Sequence, residues 1–163
     1  MGHFLATKIV DGFSTCFRQW RAEDTHCKFL HGYSVSFKLT FSGPLDDRNW
    51  VQDFGFLKRS KTRMRLSDGT EGSVADWFAD TFDHTVVLAT DDPALLHFQI
   101  LQDKGILQLR VLPRVGCEMF AAHVFRAIEQ FLRQENEATG RAARIMTVEC
   151  FEHAKNSAVF TEA

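Results

Sequence analysis

Apolar and polar side chains alternate most cleanly in Tyr33-Ser34-Val35-Ser36-Phe37-Lys38-Leu39-Thr40-Phe41, where every second residue is apolar. A period of two belongs to a strand with one buried face and one polar face. Phe4 to Ser14 is rich in β-branched and aromatic residues but broken by Asp11-Gly12, which predicts a first strand with a bend or bulge. Arg18 to Thr25 reads as a polar loop. Beyond Phe41, Ser42 to Asp47 has turn composition, and Trp50 to Phe54 reads as a strand returning antiparallel against Tyr33–Phe41.

The period then changes. Gly55 to Leu66 carries Lys58, Arg59, Lys61, Arg63 and Arg65 and predicts a helix with a charged face. Such a run is ordinarily a solvated face, since charged side chains seldom leave water; the functional alternative is a clamp for phosphate groups. Ser73 to Phe82 predicts a short helix and Thr85 to Thr90 a β-branched strand. Asp91-Asp92-Pro93 has helix-start chemistry for a helix over Ala94 to Gln102. Ile106 to Leu112 predicts another strand. From Cys117 to Glu135, Phe120, Val124, Ala127, Ile128 and Phe131 recur at helical spacing, giving a helix that covers a sheet. Arg144 to Phe151 alternates again, and Ala158 to Thr161 is a last short strand. The class is therefore α+β, in one domain spanning 1–163.

Composition narrows the function classes. Nineteen basic and 21 acidic side chains are interspersed, so no global field favours nucleic acid or anionic lipid. Met1 to Val10 has only short apolar pieces broken by His3 and Lys8, and no stretch approaches the roughly 20 apolar residues of a membrane span. A cytoplasmic protein is the expectation. Cys16, Cys27, Cys117 and Cys150 lack CxxC spacing, which argues against a zinc ribbon and against structural disulfides. Sixteen phenylalanines against one tyrosine predict an interior or subunit interface of rings that need no hydrogen bonds.

Four groups carry candidate chemistry. Cys27 and His31 flank a loop that runs into the alternating strand; they are a nucleophile pair, half a metal site, or two ordinary turn residues. Asp83-His84 is a carboxylate beside an imidazole, but neighbours in an extended chain point apart, so local sequence does not make them a pair. Glu118, at a helix start, complements the helix macrodipole. Glu149 shares a strand face with Thr147 and Phe151, and if that face is covered its carboxylate requires a partner such as an arginine or the amidine-like edge of a ligand.

Cys27-Lys28-Phe29-Leu30-His31-Gly32-Tyr33-Ser34, Val51-Gln52-Asp53-Phe54-Gly55-Phe56-Leu57-Lys58, Phe82-Asp83-His84, Cys117-Glu118 and Val148-Glu149 occur in this order along nearly the whole chain. Together they resemble the 6-pyruvoyl-tetrahydropterin synthase / 6-carboxy-tetrahydropterin synthase (QueD) family. The resemblance implies a tunnelling fold (T-fold): antiparallel sheet backed by helices, with subunits joined through their sheets into a barrel, commonly a hexamer of two trimers. It implies a site between subunits for a pterin with a triphosphorylated side chain, and a carbon-oxygen lyase acting on 7,8-dihydroneopterin triphosphate in a deazapurine (queuosine-type) route. By position Cys27 matches the proton-abstracting thiol, Asp83 and His84 the proton relay, and Glu149 the carboxylate that grips the pterin, with Glu118 a second substrate-binding carboxylate.

The same resemblance implies zinc held by three histidines, and here the pattern departs. His31 keeps one position, while Phe17 and Tyr33 stand at the other two. Three readings follow. Zinc persists on substitutes, with Cys16 joining His31 and His26 if the first strand slips by one residue; or the thiol, Asp-His pair and glutamate work without metal; or the chain binds pterin without turnover.

Overall fold

The computed structural model describes residues 4–162, so Met1 to His3 of the N-terminal stretch read above lie outside the described residues, as does Ala163. In chain order the elements are β1 (Leu5–Phe17), β2 (His31–Ser42), α1 (Phe56–Arg59), β3 (Met64–Arg65) and β4 (Glu71–Gly72). They continue with α2 (Val74–Phe82), β5 (Thr85–Ala89), α3 (Leu95–Asp103), β6 (Leu109–Leu112), α4 (Cys117–Thr139), β7 (Arg144–His153) and β8 (Asn156–Phe160). Six strands form one sheet in the order β6-β5-β1-β2-β7-β8, and β3-β4 form a separate small ribbon. β1, β2, β7 and β8 are each antiparallel to the next in the sheet, whereas β5 runs parallel to β1 and to β6. The sheet is thus mixed at one end, where helices cross over between its parallel strands.

β2 keeps its predicted alternation, burying Val35, Phe37, Leu39 and Phe41 against the helical layer. β1 meets it antiparallel, with a register break between Val10 and Phe13 around Gly12, whose φ of +88° lies in the left-handed region. This break is the bulge expected at Asp11-Gly12. It lets both Val10 and Phe13 face the core side, so the strand continues to Phe17 without presenting the wrong face. A second break between Thr40 and Phe41 in the β2–β7 pairing leaves Met146 exposed between buried Ile145 and Val148. The six largest fully buried side chains are all phenylalanines, among them Phe37 and Phe82 with ring centroids 4.8 Å apart. Burying each ring contributes roughly 1.5–3 kcal/mol and leaves no polar atom to satisfy.

Two expectations from the chain pattern are corrected. Trp50–Phe54 is not a strand, and the partners of β2 are β1 and β7. The Asp46 carboxylate accepts the amides of Arg48 and Trp50, and Asn49 adopts a φ of +62°, so the backbone that would have laddered is consumed in a turn. The basic run is not a helix from Gly55 to Leu66; it is one turn, Phe56–Arg59, and then extended chain. Ser60 and Thr62 donate to the same Glu135 carboxylate oxygen, each at 2.6 Å, which pins that chain to α4 and frees Met64–Arg65 to pair with Glu71–Gly72.

The other helices obey local rules. Ser73 and Asp76 form a reciprocal capping box at the start of α2. α4 starts after Gly116 and ends at left-handed Gly140. α3 begins one residue later than read, because the Asp92 carboxylate accepts the Ala94 amide while also gripping Arg18. No helix among the described residues is long and apolar enough to cross a membrane.

Candidate active site

Cys27 sits in a single 3-10 turn, His26–Lys28, between β1 and β2. The Thr25 hydroxyl accepts the Cys27 amide at 3.2 Å, and the Cys27 carbonyl accepts the Gln19 amide at 2.8 Å, so the loop is tied back to the end of β1. The thiol is half-buried. His31 opens β2 with its Nδ1 against the Phe29 carbonyl.

Asp83 and His84 follow α2 and precede β5. His84 has a φ of +57°, an uncommon conformation for a non-glycine residue, and this folds its ring back so that Nδ1 lies 3.0 Å from the Asp83 carboxylate. The same carboxylate accepts the Ser14 amide of β1 at 3.1 Å. The two side chains are therefore in contact, which local sequence did not establish, and the Ser14 amide is a partner of Asp83 that the sequence does not reveal. Among the described residues no hydrogen bond joins Cys27 to either member of this pair.

Glu149 lies mid-strand in β7, opposite Lys38 of β2 and Val159 of β8, on the sheet face that carries no helix. Its Oε1 accepts the Ser157 hydroxyl at 2.7 Å. Ser157 and Lys38 were also missed; the alternation of β2 put Lys38 on that face but could not reveal its neighbour. Glu118 is exposed in the first turn of α4. Cys16 pairs with Gly32, and a Cβ at Gly32 would stand 3.1 Å from its sulfur. It therefore occupies the sheet face opposite Phe17 and His31, and the register from Phe13 to Phe17 is unbroken, without the slip needed to turn it. The structure does not bring Cys16 and His31 together.

The positions read as a metal triad do converge. Phe17 and His31 are direct cross-strand partners with ring centroids 5.6 Å apart, Phe17 and Tyr33 are at 5.7 Å, and His31 and Tyr33 at 5.0 Å, edge-on. Phe120 of α4 closes the cluster from below, 5.0 Å from Phe17.

The 6-pyruvoyl tetrahydropterin synthase family model matches residues 7–163. The chain belongs to this family. Three solved structures show the corresponding fold. An uncharacterized protein from Wolinella succinogenes shares 18% identity at a TM-score of 0.70, covering 100% of both chains. The 6-pyruvoyl tetrahydropterin synthase of Caenorhabditis elegans gives 14% identity and 0.62, covering 100% of this chain and 98% of that one. The Plasmodium falciparum enzyme gives 14% and 0.59, with 97% and 98% covered. No curated protein matches the sequence. The T-fold expectation, an α+β subunit of mostly antiparallel sheet backed by helices, therefore holds for this 6-pyruvoyl tetrahydropterin synthase family member.

The donor set at the converging positions does not fit zinc. Phe17 offers no ligand atom and is 1% exposed. Burial, reinforced by Glu152, Cys27 and Cys117, pushes the Tyr33 phenol above its ordinary range, away from the phenolate that a metal would take. His31 alone remains, against the three or four protein ligands of stable sites. Among the described residues no group of three His, Cys, Asp or Glu side chains is placed to hold a metal. Of the basic run, Arg63 and Arg65 lie in the wall of a cavity that α4 shares.

Proposed function

We propose that this chain is a carbon-oxygen lyase of the tetrahydropterin synthase type, acting on 7,8-dihydroneopterin triphosphate in the manner of a 6-carboxy-tetrahydropterin synthase, without a triad-bound zinc. The observation that carries the reading is the 3.0 Å contact between Asp83 and His84, held by the Ser14 amide. An imidazole held against a carboxylate has one ring nitrogen oriented and the other free to take or give a proton. The Glu149 carboxylate accepts two parallel hydrogen bonds from the amino-pyrimidine edge of the pterin, and Ser157 keeps it aimed. In the elimination step the Cys27 sulfur takes a proton from a side-chain carbon, the C–H electron pair forms a carbon–carbon double bond as the neighbouring C–O bond breaks and triphosphate leaves with its electrons, and the Asp83–His84 pair relays the proton.

The site lies between subunits in this reading, within a cytoplasmic hexamer of two trimers. Support for association lies in the free edges. β1 from Leu5 to Ser14 has a strand only on its β2 side, β8 ends the sheet, and both expose apolar side chains, Leu5, Ile9 and Val159.

Turnover of the triphosphate substrate, compared between the natural chain and Cys27→Ala, tests the reading. We expect loss of at least about 100-fold in kcat; activity indifferent to Cys27 removes the thiol from the mechanism. A second reading, a pterin-binding subunit without turnover, draws on the ring cluster at Phe17, His31 and Tyr33. It predicts tight pterin binding that is lost in Glu149→Ala, with no product from either protein.

A further inference from the structure

A cavity of about 480 Å³ opens between α4, α2 and the β3–β4 ribbon. It lies on the helical side of the sheet, whereas Glu149 and Lys38 lie on the face that carries no helix. Arg63, Arg65 and Arg126 all contribute to its wall. Seven of the nine arginines outside the cavity, Arg18, Arg21, Arg48, Arg59, Arg110, Arg133 and Arg141, each sit within 3.2 Å of an Asp or Glu oxygen, while Arg114 and Arg144 stand without one among the described residues. The three cavity arginines have no such ion pair among the described residues. The nearest carboxylates are otherwise placed. Glu71 stands opposite Arg65 across the ribbon and lines the same wall, while Asp76 is engaged in the Ser73 capping box.

Three guanidinium side chains line one concavity against the single carboxylate of Glu71, with the Arg126 guanidinium also lying over the Phe160 ring at 5.8 Å, so the wall carries an excess of positive charge that an anion would offset. The wall is also fixed in advance. Ser60 and Thr62 anchor the segment carrying Arg63 to Glu135 of α4, and Arg126 belongs to α4 itself. At the floor, the half-buried His123 ring stacks on Trp77 with centroids 5.5 Å apart, and its nitrogens have no hydrogen-bond partner among the described residues. Burial, with Arg126 nearby, holds this imidazole below its ordinary pKa, so at neutral pH it is a neutral donor or acceptor facing the cavity. Gln130 and Gln134 add amide groups at the rim.

We propose that this cavity binds a phosphorylated small molecule, with Arg63, Arg65 and Arg126 gripping its phosphate oxygens and His123 hydrogen-bonding to it. Guanidinium forks match phosphate oxygens in pairs, and the volume lies in the range of small-molecule sites. The assignment is independent of the pterin reading, because it uses none of Cys27, Asp83, His84 or Glu149.

The test is titration of the full chain with inorganic tripolyphosphate in 150 mM salt, followed by calorimetry and by NMR of the His123 ring, assigned with His123→Gln. Saturable binding at one site per chain that moves the His123 resonances is expected. Arg63→Ala combined with Arg126→Ala should weaken it about tenfold or more, while Arg144→Ala, an exposed arginine on β7, should leave it within about twofold. Where the alanine pair unfolds by circular dichroism, Arg63→Gln with Arg126→Gln keeps the aliphatic stems and should show the same loss. Binding that leaves His123 unmoved belongs to another site and overturns the assignment. So does an affinity equally reduced by Arg144→Ala, or no saturation at this salt.

Discussion

Phe17 and His31 face each other directly across β1 and β2, ring to ring at 5.6 Å, on the face that α4 covers. With Tyr33 they occupy three converging positions, so the backbone scaffold of a triad persists while its donors are absent. Phe17→His combined with Tyr33→His restores three imidazoles on one face. The double variant should take up about one zinc per chain and melt higher with zinc than with chelator, whereas the natural chain should show no zinc-dependent melting shift. Elemental analysis and thermal melts read this directly; a stoichiometric zinc in the natural chain would sink the argument from donors.

Asp83→Asn separates charge from geometry. The amide oxygen can still accept the Ser14 amide, so the fold around His84 should stand and the melting temperature should move little. What is lost is the negative charge beside the imidazole. We expect kcat to fall about 100-fold with a small change in KM. An unchanged kcat would return the pair to a structural role.

Arg18 and Asp92 form a two-point ion pair, 2.8 and 2.6 Å, that ties the end of β1 to the start of α3. Burial alone would raise the Asp92 carboxyl, but the Arg18 hydrogen bonds and the Ala94 amide hold it below the ordinary carboxylate range. Its folded-state pKa is therefore depressed, so its contribution is complete above the unfolded value of roughly 4 and is lost as pH falls through the lower folded value. Asp92→Asn should cost about 3 kcal/mol at neutral pH and less in acid, as measured by urea unfolding at several pH values. Equal costs at pH 7 and pH 3 would contradict the linkage.

His123 has the opposite chemistry with the same sign of shift. Burial against Trp77, with Arg126 nearby, lowers its pKa, so the folded state keeps it neutral while the unfolded chain protonates near pH 6.5. Stability should fall as pH drops through and below that value, because the unfolded state binds the extra proton. His123→Gln should flatten the stability profile between pH 7 and pH 5. A profile unchanged by the substitution would assign the slope to other groups.

Local pattern carried much of the fold. The alternation of Tyr33–Phe41 located β2, Asp11-Gly12 located the β1 bulge, and the apolar spacing after Cys117 located α4. The failures are equally local in origin. Trp50–Phe54 has strand composition, but the Asp46 side chain captures its turn and leaves Val51 and Gln52 buried without a ladder. Lys58 to Arg65 has helical composition, but Glu135, more than 70 residues away in sequence, draws Ser60 and Thr62 out of the helical path. A distant carboxylate leaves no mark on the stretch it reshapes.

The sequence by itself determined the period of β2 and α4, the bulge in β1, and the choice of phenylalanine for the interior, and it offered Cys27, Asp83, His84 and Glu149 as candidate groups. Those follow from backbone geometry and side-chain chemistry, which act over a few residues. Only the tertiary structure decided that Asp83 and His84 touch, that Cys16 turns away from His31, that Phe17, His31 and Tyr33 meet, and that three arginines share one cavity. Each of these depends on strand register or on helix packing between segments far apart in the chain. Register is selected by burial of the whole sheet face, so no residue reveals its cross-strand neighbour until the sheet is assembled.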